Sequence, residues 1–401
     1  MRSGKIKKRT GITQIRTSVI QIVFLITFPL LLTGCWNNRD LTEINLVAGL
    51  GLDRTEDGKV LLTVQVVEPA AIQSSSSGNE KAGGRQSKPV FVASYAGETV
   101  FDAVRGMLSI ADKRMFFSTT QVLILGEKLS QDGIEEVMDF FLRDQEMDYE
   151  MIILVAKDAT PEEILKIETD MDSIPAMYIK GTVENTISRG TVKKTMLIDL
   201  IKDLGSSEIQ PAIGKISKAG EKAVMTDGVA VIKDGKLAGW LDPHETRGYL
   251  FIIDEIKGAI VNIPVDNGKI AIEIMRSKGK NNVAFENGEP AMLKVNVEVE
   301  ANVGAFEGRG SLDSPDNLKK LEIVLEEEIK KETMMALEKC QKEFSSDIFG
   351  FGAHVHKYHP QYWKKANKDW NNIFSRLPAD VQVKAKIVRT GIVKSPIKKD
   401  E

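Results

Sequence analysis

AMLKVNVEVEANV, residues 291–303, alternates apolar and polar side chains almost without a break. Successive side chains of a β-strand point to opposite faces, so the stretch predicts a strand with one face on a core and the other in water. A helical pattern takes over beyond it. Ser314-Pro315 opens a run in which Leu318, Leu321, Leu325, Ile329, Thr333, Ala336, Cys340 and Phe344 follow at spacings of three and four, with Glu and Lys between them. That stripe predicts a helix of roughly 30 residues, about 45 Å long, laid across a sheet. Strand patterns also occur before it at 258–264 and 269–276, and after the helix VQVKAKIVRTGIV, 381–393, reads as another strand.

Toward the N-terminus the same mixture continues. Short strands run from about 222 to 241, with turns at Asp227-Gly228 and Asp234-Gly235, and Asp242-Pro243-His244-Glu245 has the residues of a helix start. Residues 160–203 are mostly helical, opening on Thr160 as N-cap with Glu163 at the third helical position. Strands at 44–52 and 60–68 flank Asp57-Gly58, a turn signal. PVFVASY (89–95), a helix near 97–111, TQVLILG (120–126), a helix near 133–143 and YEMIILVA (149–156) then alternate. These patterns predict an α+β chain whose sheets are flanked by helices. IQSSSSGNEKAGGRQSK, 72–88, lacks apolar periodicity and reads as a surface loop dispensable for the fold.

The N-terminus carries a targeting signal. Residues 1–17 hold Arg2, Lys5, Lys7, Lys8, Arg9 and Arg16 and no acid, and lead into an apolar run from Val19 to Leu32. That run falls short of the ~20 residues a helix needs to cross a bilayer, and Gln21 and Pro29 interrupt it. It ends in Leu32-Thr33-Gly34-Cys35, the pattern of a bacterial lipobox, so residues 1–34 are expected to be a lipoprotein signal peptide cleaved between Gly34 and Cys35. Cys35 would then carry a diacylglyceryl thioether and an N-acyl chain, and several acyl chains suit stable anchoring where one gives only marginal binding. Cleavage leaves 48 Lys and Arg against 57 Asp and Glu, a formal charge of −9. Such a balance argues against nucleic acid and leaves the covalent lipid to hold the protein at the membrane. About 367 residues imply two or three domains, and with Cys340 as the one other cysteine no intramolecular disulfide is expected.

Candidate chemistry is sparse. His354, His356 and His359 cluster in HVHKYH, yet no cysteine pair or acidic signature completes a zinc set, so packing in a loop is the expectation and no metal or cofactor is assigned. Trp363 and Trp370 lie seven apart, which would put them on one helical face as core or interface anchors. Cys340 sits on the apolar stripe and reads as a buried small residue. Asp53, Asp144 and Asp148 have no nucleophile and base beside them, and no catalytic residue is assigned. Gly49-Leu50-Gly51 lacks the third glycine of a dinucleotide loop and reads as strand.

Several of these residues together form a pattern. The lipobox, Trp36, Arg39-Asp40-Leu41, the glycine-rich strand ending at Asp53, LILGE at 123–127, Gln341, Asp347-Ile348-Phe349-Gly350, Trp363, Trp370 and Arg389-Thr390-Gly391 resemble the Ger(x)C family of spore germination lipoproteins. Asn37 and Ser118-Thr119-Thr120 depart from that pattern. The resemblance implies three domains, each a β-sheet flanked by helices; here they would be an N-terminal one at 35–170, a middle one at 171–255 and a C-terminal one at 256–395. It also implies the non-enzymatic C subunit of a nutrient germinant receptor, on the outer face of the spore inner membrane, with an A subunit and a permease-like B subunit as partners. Two other classes compete. A solute-binding lipoprotein of a membrane transporter would share the anchor and size but normally has two like lobes, and the halves here show no repeat. An envelope hydrolase would need a signature such as G-x-S-x-G or H-E-x-x-H, which is missing.

Overall fold

Asp57-Gly58 does form a turn. β1 (Ile44–Arg54) and β2 (Val60–Val67) pair antiparallel around it, and Gly58 takes the left-handed φ of 85° that glycine adopts without strain. The computed structural model describes residues 43–69, 88–144, 146–265, 268–307 and 315–389. The signal segment, Gly34, Cys35, Trp36, Arg39-Asp40-Leu41, the 72–88 loop apart from Lys88, and Thr390-Gly391 lie outside the described residues.

The first sheet has eleven strands. β3 (Val90–Gly97) is followed by α1 (Val100–Met107), whose N-cap Thr99 accepts the Asp102 N–H, and by β4 (Arg114–Phe116) and β5 (Val122–Leu125). Then come α2 (Glu127–Asp132), α3 (Glu135–Arg143), β6 (Ile152–Ala156), α4 (Pro161–Leu165), α5 (Pro175–Ile187), β7 (Thr195–Met196) and α6 (Leu197–Leu204). Strands β8 (Ala212–Lys218), β9 (Val224–Met225), β10 (Val229–Lys233) and β11 (Lys236–Leu241) complete it. The strand order is β11-β10-β8-β6-β5-β1-β2-β3, with β1, β5, β6 and β8 running parallel. One apolar core forms where α1, α3 and α6 cover one face, and another where α4 and α5 cover the other. β5 and β6 are consequently buried throughout and read as unbroken apolar runs rather than alternating ones.

The second sheet has four strands, β12 (Ala259–Val265), β13 (Gly268–Glu286), β14 (Glu289–Glu307) and β15 (Ala379–Arg389), in that order. β13 and β14 make a hairpin of 19 residues a side. Asn287 and Gly288 turn it with φ of 52° and 86°, the type I′ geometry that matches strand twist. β14 contains the alternating stretch, with Leu293, Val295, Val297 and Val299 buried and Lys294, Asn296, Glu298 and Glu300 exposed.

Helix α7 (Pro243–Ile252) begins with the expected capping box of Asp242 and Glu245, and packs on the long α8 (Pro315–Lys339). The helix predicted to 344 is α-helical to Lys339, and its last residues, Cys340–Phe344, widen into a π turn. Glu322 and Glu326, one turn apart on α8, accept hydrogen bonds of 3.0 Å from Ile387 N–H and Ala385 N–H of β15. The helices α9 (Phe351–Tyr358), α10 (Pro360–Ala366) and α11 (Trp370–Arg376) close this half. HVHKYH, expected as a loop, therefore lies largely on helix α9. The third apolar core unites α7, α8, α9 and the second sheet with Ala212, Val229, Val231 and Leu241 of the first sheet.

Candidate functional site

Two aspartates that carried the family resemblance turn out to hold the ends of helices. Asp347 is fully buried. One of its carboxylate oxygens accepts from Phe349 N–H and Gly350 N–H at 3.1 Å and from Phe351 N–H at 3.3 Å. The other accepts from Gly352 N–H and Trp370 Nε1–H, both at 2.8 Å. The Gly350, Phe351 and Gly352 N–H groups are unpaired donors at the start of α9. Burial pushes the carboxyl above the usual carboxylate range, and the hydrogen bonds from Trp370, Gly352, Phe349 and Phe351 pull it partly back. Around it, Gln210 N–H donates to the Asp347 carbonyl at 2.8 Å and Ser346 Oγ–H to the Ile232 carbonyl at 2.9 Å, which fasten this loop to the first sheet. Gln341 Nε2–H bridges the carbonyls of Phe374 and Leu377 at 2.7 and 2.8 Å. At Gly352 an added Cβ would lie 2.4 Å from the Glu208 carbonyl, so a larger residue does not fit.

Asp53 does the same work at the other end of the chain, half-buried. Its carboxylate accepts from Arg54 N–H and from Leu129 N–H in the first turn of α2, whose own N-cap, Gly126, has no side chain to offer. The Asp53 carboxylate occupies the space a Gly126 Cβ would need, 2.2 Å away, which explains the glycine of LILGE. Burial raises this carboxyl too, opposed by those N–H groups and by Lys128.

The remaining candidates are likewise held in structure. Trp363 and Trp370 are buried and meet edge to face at 5.7 Å, but from α10 and α11, not from one helix face. The histidines point to separate partners: His354 Nδ1 faces Val283 N–H at 3.4 Å, His356 Nδ1 pairs with Glu208 at 2.6 Å, and His359 stacks on Phe285 at 3.6 Å. Cys340 is buried, and its thiol is pushed well above its ordinary value by that burial. Asp144 and Asp148 each accept the N–H two residues on, as turn residues do. Gly49 and Gly51 lie in β1, where an added Cβ would come within 2.8 Å of Leu165 and 2.6 Å of Pro161; they let α4 lie close on the sheet.

Sequence reasoning missed several buried polar groups. Gln65, in the middle of β2, donates to the Leu165 carbonyl at 2.7 Å and accepts from Ala176 N–H at 3.0 Å, tying α4 to α5; a glutamine inside VLLTVQVV was the available signal. Arg247 and Glu332 pair in the α7–α8 interface, Nε to Oε2 2.7 Å, and Lys193 donates to Tyr249 Oη at 3.0 Å. A polar cleft of about 270 Å³ opens beside the Asp347 loop, lined by Glu135, Asp203, Gln210, Asp234, Lys368 and Asn371. Among the described residues, no group of three or more His, Cys, Asp or Glu is placed to hold a metal ion, and no helix is long and apolar enough to cross a membrane.

A model described as the spore germination protein N-terminal domain matches residues 37–218, and one described as spore germination B3/GerAC like, C-terminal, matches residues 227–391. The chain belongs to the Ger(x)C family. This Ger(x)C protein is similar to spore germination protein KC of Bacillus subtilis (strain 168), 28% identical over 408 residues covering 96% of this chain and 98% of that protein. Spore germination protein B3 of the same organism is 26% identical over 370 residues, covering 91% and 96%. In fold, it resembles the crystal structure of the GerBC protein, with a TM-score of 0.54 and 21% identity over 85% of this chain and 97% of that one. Asp53 lies in the first matched Ger(x)C segment and Asp347 in the second.

Proposed function

We propose that this Ger(x)C protein is a lipid-anchored, non-enzymatic subunit of a spore nutrient germinant receptor, which supports assembly of the receptor or relays its signal during germination. The observation that carries the reading is the match of two spore germination family models along nearly the whole chain. The lipobox supports an anchor at Cys35, and with it a place on the outer face of the spore inner membrane beside an A subunit and a permease-like B subunit. A role without catalysis is supported by the use of Asp53 and Asp347, whose carboxylates are engaged by backbone N–H groups. The test is co-purification from detergent-solubilised spore membranes of a C-terminally tagged chain beside its Cys35→Ala variant. A and B subunits identified by mass spectrometry with the first, and depleted with the second, are the expected result. Recovery of transporter components, or of no partner, overturns the reading.

A second reading, a solute-binding lipoprotein, draws on the polar cleft of about 270 Å³. Calorimetric titration of the protein with amino acids and sugars tests it, and heat of binding at micromolar ligand would favour it over the receptor reading.

A further inference from the structure

We propose that the outer surface of α1 and the turn after it, formed by Phe101, Leu108 and Ile110, rests in the interfacial zone of the bilayer next to the point where the chain enters β1. The inference builds on the lipid-anchor reading above. Helix α1 buries Val100, Ala103 and Met107 against the sheet. A second apolar stripe points away from it: Phe101 and Leu108 lie seven residues apart, hence on one helical face, and Ile110 follows. They are 56%, 45% and 52% exposed. Single exposed apolar side chains are ordinary, whereas three large ones within ten residues mark a contact surface.

The surroundings fit a lipid headgroup zone. Arg105 lies on the same stripe with its guanidinium 5.1 Å from the Phe101 ring, and Lys113 is exposed just beyond Ile110. Apolar side chains flanked by Arg and Lys suit the boundary between acyl chains and headgroups, where the cations reach phosphate while their stems stay in apolar surroundings. The two aspartates within this stretch of sequence are engaged within the protein. Asp102 accepts Glu98 N–H at 3.0 Å, and Asp112 accepts Asn45 Nδ2–H at 3.2 Å.

That last bond supplies the location. Asn45 also donates to the Lys113 carbonyl at 3.4 Å, and β4, which follows, pairs with β1. The turn bearing Ile110 is therefore fastened to the first residues of β1. Cys35 precedes Asn45 by ten positions, so an anchor there lies within at most ~36 Å of Asn45 even with the chain fully extended. The exposed apolar side chains of this turn thus stand a few residues from Asp112 and Lys113, which Asn45 bonds where the tether joins the body. Lipid at Cys35 would hold them within a tether's length of the membrane, and contact would fix the orientation in which the body stands on it.

The test uses the full chain, purified from membranes with its own N-terminus and reconstituted into phosphatidylcholine–phosphatidylglycerol vesicles. Leu108→Cys, or Ile110→Cys if the first folds poorly, is labelled with a maleimide of nitrobenzoxadiazole; burial keeps Cys340 from reacting. Lys384→Cys, exposed on β15, is the control. The inference expects emission at 108 to shift to shorter wavelength and to be quenched several-fold more by doxyl-labelled lipid chains than at 384, with iodide showing the opposite order. If the protein floats with the vesicles but 108 is as open to iodide as 384, the inference is overturned. Protection of 108 only when partner subunits are added, without quenching by lipid, overturns it in favour of a protein contact. A chain that does not float at all removes the anchor, and the inference with it.

Discussion

The two sheets bury their strands by different means, and the difference says where the chain tolerates change. In the first, helices lie on both faces, and β5 and β6 have no side chain in water. In the second, α7 and α8 contribute to a core on one face only, and the other carries charges in register. Glu298 stands between Lys278 and Lys384, and Glu300 between Arg276 and Lys386. A two-sided sheet leaves no slack for volume, so it uses glycine where a helix comes close. A one-sided sheet sets limits on its buried face and few on its open one.

The sharpest test lies where the two sheets meet. Asp347→Ala should cost more than about 3 kcal/mol in urea unfolding, because five buried donors lose their acceptor at ~1–3 kcal/mol each. A loss under about 1 kcal/mol would mean that water replaces the carboxylate, and that the junction is looser than either sheet. Next, Gly51→Ala puts a methyl 2.6 Å from Pro161 on the two-sided sheet. Overpacking of this kind costs about 1–3 kcal/mol, and a neutral result would show that α4 can shift outward.

A smaller effect is expected at the half of β13 beyond the reach of β12. There His354 Nδ1 faces Val283 N–H, and burial, followed by His359 and Lys357, holds its imidazole below the ordinary value of 6.5. A depressed histidine contributes stability above its unfolded pKa and loses it as pH falls through the folded one. Between about pH 7.5 and about pH 5 the wild type should therefore lose more stability than His354→Gln. Equal slopes for the two proteins would remove the histidine from that account. Least of all, Glu298→Thr on the open face should change stability by no more than about 0.5 kcal/mol, as substitutions at exposed positions do. A loss of a whole kcal/mol or more would show that the charge ladder holds the second sheet together.

The same contrast decided what could be read from sequence. β14 was legible because one wet face imposes alternation, and the stripe of α8 was legible because one face of it is apolar. Thr160, Asp242 and Glu245 act by local rules, and their capping boxes were found where expected. β8 was not anticipated. AIGKISK has two lysines and a glycine, and it becomes a strand because β6 and β10 need a neighbour between them. The second half of β13, SKGKNNVAFE, looks like loop, yet tertiary contacts hold it. Gly279 lets the Phe251 carbonyl approach within 2.1 Å of where a Cβ would stand, and Asn281 Nδ2–H reaches the Phe349 carbonyl at 2.8 Å. HVHKYH reads as loop because its helix is started by Asp347, a cap lying outside the segment itself. Asp53 and Asp347 could be recognised as parts of a family pattern, but their full role needed the fold: Asp53 reaches Leu129 N–H in a distant helix, and Asp347, whose backbone donors lie two to five residues on, also accepts from Trp370 Nε1–H.

Glu322 and Glu326 have one more consequence. An outer strand invites pairing with any extended chain nearby, and among the described residues β15 is outermost in the second sheet. Along β15 the donors of Ala385 and Ile387 already have carboxylates where an incoming strand would place its carbonyls. Addition of a strand there would displace two charged acceptors and leave them to find water. Neighbouring copies are thereby discouraged from joining into a continuous ribbon at this edge.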